Sequence, residues 1–139
     1  MRFLQNKILV KRLLSIILGA LVPFAFAPYN FYFISLITLS VLFYFWLNTN
    51  SAREAFILGY LFAFAMFGVG VNWLHISINL FGGVNIIGAL SFTYIFIAYI
   101  SLYPALCGYL GIRFFKYARV IALPALWLLT EWCRGWMLT

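Results

Sequence analysis

Acidic residues are nearly absent from this sequence. Glu54 and Glu131 are the only two among 139 residues, against nine Lys and Arg, and charged residues of both signs make up 8% of the chain. A soluble globular domain carries about 25% charged residues. Hydrophobic residues make up 67% of this chain and include sixteen Phe. The composition excludes an ordinary soluble domain and predicts an all-α integral membrane protein, a polytopic bundle of helices.

Cysteine and histidine are scarce as well. Cys107 and Cys133 both fall within apolar runs, and two such thiols do not make a disulfide framework. No Cys or His spacing matches a zinc or iron–sulfur site, so neither a metal nor another cofactor is expected. The single histidine, His75, has no nucleophile placed near it by the sequence. We interpret it as a hydrogen-bonded residue near the membrane surface rather than as a base.

Apolar runs predict about five transmembrane helices within one domain, residues 1–139. A span needs roughly 20 apolar residues, and the predicted spans cover about 13–27, 31–47, 55–80, 86–112 and 120–138. Ser51 and Glu54 have the spacing of a capping box, which predicts the start of the third helix and explains Glu54 as a capping residue.

The fourth run carries small residues that recur every seven positions. They form two series, Ser91, Ala98 and Ala105, and Ser101 and Gly108. Small side chains at this spacing predict close packing against another helix. Pro104 interrupts the same run and predicts a kink, because it cannot donate a backbone hydrogen bond to Ile100.

Basic residues predict the orientation of the chain in the membrane. Eight of the nine precede the first run or lie in the connections after the second and fourth runs: Arg2, Lys7, Lys11, Arg12, Arg53, Arg113, Lys116 and Arg119. The positive-inside rule places these segments, and the N-terminus, in the cytoplasm. The same distribution argues against nucleic acid as a partner, because the bases do not form a single binding face.

Glu131 is the strongest functional signal, because it lies inside an apolar run. A charged side chain at bilayer depth costs at least ~2.5–3.5 kcal/mol, so it usually faces protein or a wet cavity. Arg134 follows three residues later, on the same helix face, and this spacing predicts an ion pair. Such a pair either fixes helix packing or serves function, and the sequence leaves both interpretations open.

Polar and aromatic residues end the third run on the predicted outer side, where Glu131 and Arg134 also lie. They are Asn72, Trp73 and His75. We expect these five residues to form one polar layer that is either substrate-facing or structural, with the acid–base pair facing the third span. No residue of the chain is predicted to be catalytic.

Four motifs resemble the membrane region of apolipoprotein N-acyltransferases, in order and spacing. They are Ala27-Pro28-Tyr29-Asn30, Gly70-Val71-Asn72-Trp73 through Ser77 to Phe81-Gly82-Gly83, Ser101-Leu102-Tyr103-Pro104-Ala105-Leu106, and Pro124-Ala125-Leu126-Trp127 through Glu131 to Trp136. The resemblance covers almost the whole chain.

The resemblance implies a multi-pass protein of the bacterial inner membrane. Family members move an acyl chain from a membrane phospholipid to the N-terminal diacylglyceryl-cysteine of an apolipoprotein, using a nitrilase-like domain whose Glu, Lys and Cys have no counterpart here. The chain is therefore expected to be the N-terminal membrane region, without the catalytic domain and inactive alone. The alternative is a stand-alone small membrane scaffold or transporter-like bundle. The sequence does not predict an oligomeric state.

Overall fold

Every regular element between residues 2 and 138, the range that the computed structural model describes, is a helix. The seven α-helices are α1 (Arg2–Leu21), α2 (Phe33–Leu47), α3 (Ala52–Gly70), α4 (Leu74–Gly82), α5 (Ile86–Ile100), α6 (Leu102–Phe114) and α7 (Arg119–Leu138), and a 3-10 turn (Val22–Ala25) follows α1.

Three segments are long and apolar enough to cross a membrane: Asn6–Ala25, Ala52–Gly70 and Ile86–Phe114. A fourth helix, α2, is apolar but shorter. The predicted all-α membrane bundle is confirmed. Among the described helices, α7 does not meet the same test of composition, and it carries Arg119, Glu131 and Arg134.

Helix α3 is the centre of the bundle, and α1 packs along it in a parallel direction. Arg12 of α1 pairs with Glu54 near the start of α3, and Gly19 reaches Phe62 further along both helices. A Cβ added at Gly19 would lie 2.0 Å from the Phe62 carbonyl oxygen. Only glycine allows the two backbones to approach this closely.

Helix α6 packs on the opposite side of α3 in the antiparallel direction, with Trp46 of α2 filling the junction. Trp46 is fully buried, and its Nε1 donates to the Ala55 carbonyl oxygen at 2.9 Å. A Cβ at Gly59 would lie 2.7 Å from the Pro104 carbonyl oxygen, and one at Gly108 would lie 2.6 Å from the Trp46 ring. The small-residue seam predicted around Gly108 is therefore confirmed for this helix.

The fourth predicted span consists of two helices. Helix α5 ends at Ile100 and α6 begins at Leu102, so the helix is interrupted three residues before Pro104. The Ser101 hydroxyl donates to the Ile97 carbonyl oxygen at 2.6 Å. The predicted kink is confirmed, and it limits the seam: Ser91, in α5, is exposed and does not continue it.

The run predicted as one span over residues 55–80 is also divided between two helices. Helix α3 ends at Gly70, and the shorter α4 begins at Leu74. Gly68 and Gly70 weaken helix propensity here. The Asn72 carbonyl oxygen then accepts a hydrogen bond from the His75 backbone amide at 3.4 Å, and it also contacts the ring Nδ1 of His75. Local hydrogen bonds of this kind compete with a continuous helix.

The first helix extends beyond the N-terminal side of the first predicted span. Helix α1 begins at Arg2 rather than near residue 13, so Lys7, Lys11 and Arg12 lie within the helix. The span was predicted from hydropathy, which indicates only the part of a helix that lies in the membrane. Lys and Arg are good helix formers, so the helix continues through the basic residues before the apolar run. The 3-10 turn then carries the chain through Pro23 to Ala25.

Basic segments of the sequence meet at one end of the bundle. Arg12 contacts Glu54 at the start of α3, and Arg119 Nη1 donates to the Thr49 carbonyl oxygen at 3.2 Å in the connection after α2. Arg134 lies near the far end of α7, in the last turns of that helix. The basic residues on which the predicted orientation depends therefore lie together at one end of the folded bundle.

Candidate functional site

A cavity of about 800 Å3 opens at the end of the bundle away from the basic segments. Its walls come from the turn after α1, the first half of α2, the last residues of α3 and the second half of α7. The lining is mainly apolar, and its charged residues are Glu131 and Arg134. This volume lies in the range of small-molecule binding sites, which are mostly apolar with a few polar groups.

The turn between α1 and α2 forms one wall because its backbone folds back on itself. The Phe31 amide donates to the Phe24 carbonyl oxygen at 3.2 Å, and the rings of Phe24 and Tyr29 lie 5.1 Å apart. Asn30 has a left-handed backbone, with φ of 58°. Asn tolerates this conformation better than most residues, so the motif before α2 supplies the reversal that the wall requires.

Glu131 and Arg134 form the predicted ion pair. Arg134 Nη2 lies 2.5 Å from Glu131 Oε2, and Nε lies 3.4 Å from Oε1. Both side chains are about 70% buried, with exposed fractions of 30% for Glu131 and 27% for Arg134. A fork-shaped contact of this kind holds both groups in place while leaving each accessible from the cavity.

The ion pair faces α3, as predicted. The guanidinium carbon of Arg134 lies 5.4 Å from the ring centroid of Phe67, a residue of α3 that also lines the cavity. This is within the range of a cation–π contact. Two neighbours on α7, Trp132 and Trp136, are instead exposed on the outside of the bundle.

The rest of the predicted polar layer stands beside the cavity rather than in it. Val71 is the last residue of this segment that lines the cavity, and Asn72 follows it. The Asn72 Oδ1 atom is buried without a hydrogen-bond partner among the described residues. His75 is held by the Asn72 backbone carbonyl, and Trp73 is 61% exposed. The structure groups Glu131 with Arg134, and Asn72 with His75, as two neighbouring sets.

Much of the cavity wall was not predicted from the sequence. Pro23, Phe24 and Tyr29 line it, yet apolar residues in a turn carry no chemical signal of their own. The dense Pro, Tyr and Asn pattern of residues 27–30 was the available indication that this turn has a specific shape.

Glu54, interpreted from the sequence as a capping residue, has a different partner. Ser51 Oγ accepts a hydrogen bond from the Glu54 backbone amide at 3.3 Å, so the predicted start of the third helix is confirmed. The Glu54 carboxylate is bound by Arg12, with Nε–Oε1 at 3.0 Å and Nη2–Oε2 at 2.6 Å. This contact lies at the basic end of the bundle, outside the cavity.

The cavity as described suits an amphiphile. Its apolar walls would bury a hydrocarbon chain, and the ion pair would meet a polar or charged group at one side. The hydroxyl groups of Ser35 and Tyr29, which line the cavity, can also bind a polar group. Cys107 lies outside the cavity: it is fully buried, with its Sγ 3.6 Å from the Leu123 carbonyl oxygen.

Comparison with known proteins agrees with this architecture. A family model described as the apolipoprotein N-acyltransferase N-terminal domain matches residues 18–139. A protein of Methylococcus capsulatus named apolipoprotein N-acyltransferase is 39% identical over 129 residues, 90% of this chain and 25% of the relative. A Vibrio cholerae protein of the same name is 38% identical over 135 residues, 94% of this chain and 26% of the relative. The chain thus spans about a quarter of the length of the curated relatives it matches.

Proposed function

Because the chain belongs to the apolipoprotein N-acyltransferase family through its N-terminal domain, we propose that it is the membrane domain of such an enzyme in the bacterial inner membrane. The family name implies transfer of an acyl chain to an amino group of an apolipoprotein, and in this proposal the acyl donor is a membrane phospholipid. In this proposal the bundle holds the enzyme in the bilayer with its N-terminus in the cytoplasm, and the cavity lies on the outer side.

The cavity between α2, α3 and α7 is the observation that carries the proposal. It combines an apolar wall with one accessible ion pair, Glu131 and Arg134. We infer that it receives an acyl chain of a membrane phospholipid and that the ion pair contacts the polar part of the lipid. Asn72 and His75 would stiffen the adjoining rim, where a domain outside the membrane meets the bundle.

A chimera tests the proposed role of the whole domain. Residues 1–139 would replace the matching quarter of the Methylococcus capsulatus relative, in cells depleted of their own N-acyltransferase. We expect N-acylated lipoprotein to appear, as measured by mass spectrometry of a reporter lipoprotein. A relative with the same quarter deleted is the control. A chimera that reaches the membrane in normal amount but does not acylate, while the intact relative does, would refute the proposal.

Filling the cavity tests its proposed role separately. Ser35 lines the cavity, whereas the next residue of α2, Leu36, is 64% exposed on the outside of the bundle. In the chimera, Ser35→Trp should reduce acyl transfer roughly tenfold, about 1.4 kcal/mol, by excluding the acyl chain. Leu36→Trp should leave it unchanged. Equal effects of the two substitutions, at equal protein levels, would contradict the assignment of the cavity.

A further inference from the structure

A second, smaller cavity of about 300 Å3 lies between α2 and α7, toward the basic end. Its walls are apolar and include Phe43 and Leu47 of α2 and Val120, Leu123 and Pro124 of α7, with Arg119 among the lining residues. Val120 and Tyr44 are 71% and 62% exposed. In a membrane, therefore, this groove opens to lipid rather than to water.

The Arg119 guanidinium is positioned but incompletely bonded. Its Nη1 donates to the Thr49 carbonyl oxygen at 3.2 Å and lies 3.5 Å from Asn50 Oδ1. Its Nε is buried and has no hydrogen-bond partner among the described residues. Both acceptors that it does reach are neutral, so the positive charge of the side chain is not balanced by them.

Neither acid of the chain is available to balance Arg119. Glu54 is held by Arg12, and Glu131 is held by Arg134 in the other cavity. Two further bases lie near this end of the bundle, Arg113 in the last turn of α6 and Lys116 in the connection to α7, and both are exposed. A half-buried arginine at a lipid-facing groove is costly unless an anion accompanies it, and the described residues supply none here.

We propose that this groove binds one anionic glycerophospholipid, with its phosphate at Arg119 and one acyl chain along the apolar walls. The phosphate supplies the charged acceptor that the guanidinium lacks, and arginine is suited to bidentate contacts with phosphate. Basic pockets between transmembrane helices are a general form of site for anionic headgroups. The apolar walls favour a lipid over free phosphate, because the exposed side chains of Val120 and Tyr44 lie beside the charge and can contact a hydrocarbon chain.

Binding can be measured without acyl transfer, so the test does not depend on the proposed function. The purified chain in neutral detergent would be titrated with phosphatidylglycerol and, separately, with phosphatidylcholine of the same chains, following bound lipid by native mass spectrometry. We expect phosphatidylglycerol to occupy one site at least about tenfold more tightly. Arg119→Gln should abolish this preference. Arg113→Gln, which removes one positive charge from the neighbouring end of α6, should keep it.

A second variant separates lipid binding from folding, because Arg119 also ties the loop at Thr49. Ser40→Phe fills the groove from α2 and leaves Arg119 in place, and it should abolish the bound lipid. Leu36→Phe, on the outside of the same helix, should not. If Arg119→Gln does not fold, loss of the bound lipid in Ser40→Phe is the result that tests the site.

Three outcomes would overturn the proposal. Phosphatidylcholine could bind as tightly as phosphatidylglycerol, Arg113→Gln could weaken binding as much as Arg119→Gln does, or Ser40→Phe could bind lipid like the unmodified chain. A further titration with inorganic phosphate alone distinguishes a lipid site from an anion site, since only the lipid should be retained.

Discussion

Arg12 and Glu54 are 42 positions apart in the chain, yet two hydrogen bonds join their side chains, at 3.0 and 2.6 Å. The contact connects α1 to the first turn of α3, and both helices run in the same direction from this point. Glu54 has an exposed side-chain fraction of 14% and Arg12 one of 38%. The pair therefore sets the register of the two helices by joining the middle of α1 to the first turn of α3.

Neutralising Glu54 should weaken this register. Glu54→Gln leaves Arg12 with a partial hydrogen-bond partner, and we expect a loss of about 1 kcal/mol in the free energy of unfolding, since Arg12 is partly exposed. Exchanging the two residues, Arg12→Glu with Glu54→Arg, should restore part of the loss. The measurement is thermal unfolding in detergent, with Arg53→Gln as the control for a neighbouring exposed charge. An exchange that is no better than the single variant would contradict the pairing.

The effect of replacing a glycine with alanine should depend on the space available for the added Cβ. Gly19→Ala places a Cβ 2.0 Å from the Phe62 carbonyl oxygen, and overpacking of this kind typically costs ~1–3 kcal/mol. Gly68 has no atom within 4 Å of an added Cβ, so Gly68→Ala should stabilise α3 by ~0.5–1 kcal/mol. Thermal unfolding of the two variants side by side gives the comparison. Equal midpoints would mean that α1 and α3 do not approach this closely in the membrane.

The close-packed face of α6 supports a related prediction. Gly108→Leu would press against the Trp46 ring, which has no free volume to yield because it is fully buried. We expect a loss of ~1–3 kcal/mol. Leu106→Ala, on the exposed face of the same helix, should change stability little by comparison. The same thermal assay measures both, and an unchanged Gly108→Leu midpoint would place this face in lipid.

The Glu131–Arg134 pair should show coupling. Glu131→Gln or Arg134→Gln leaves one largely buried charge without its ionic partner, and each should cost roughly 1–3 kcal/mol. The double variant should lose less than the sum, because it leaves no unpaired charge. Unfolding in detergent measures the loss of stability in each variant, and acyl transfer by the chimera measures the loss of activity. Strictly additive losses would mean that the two side chains act independently.

The orientation in the membrane rests on the basic end of the bundle. Reporter fusions after Asn48 and after Gly83 should lie on opposite sides, the first in the cytoplasm and the second outside it. Asn48 follows α2, near the bases, and Gly83 follows α4 at the other end. Fusions that report the same side would contradict the orientation.

Composition was sufficient to predict helices in a membrane, because apolar runs of this length have few alternatives. The small residues near Gly108 also predicted their own packing, since glycine and alanine mark close helix contacts without reference to the partner. The break after Gly70 was not predicted, because hydropathy continues through Trp73 and Leu74 while the hydrogen bonds change.

The ion pairs show the limit of local reasoning. Arg134 is three residues from Glu131, so helix geometry alone placed them together. Glu54 has a local explanation in the capping box with Ser51, and this concealed a partner that only the packing of α1 on α3 brings near. The cavity walls were concealed for the same reason: Pro23 and Trp127 are 104 residues apart and meet only in the folded bundle.

Phe43 and Trp127 lie edge to face, with ring centroids 5.9 Å apart, where α2 and α7 touch. Trp127 lines the larger cavity and Phe43 lines the smaller one. The two rings therefore separate the larger cavity from the smaller one. Hydrocarbon tails bound in the two cavities as proposed would therefore be kept apart by these two rings.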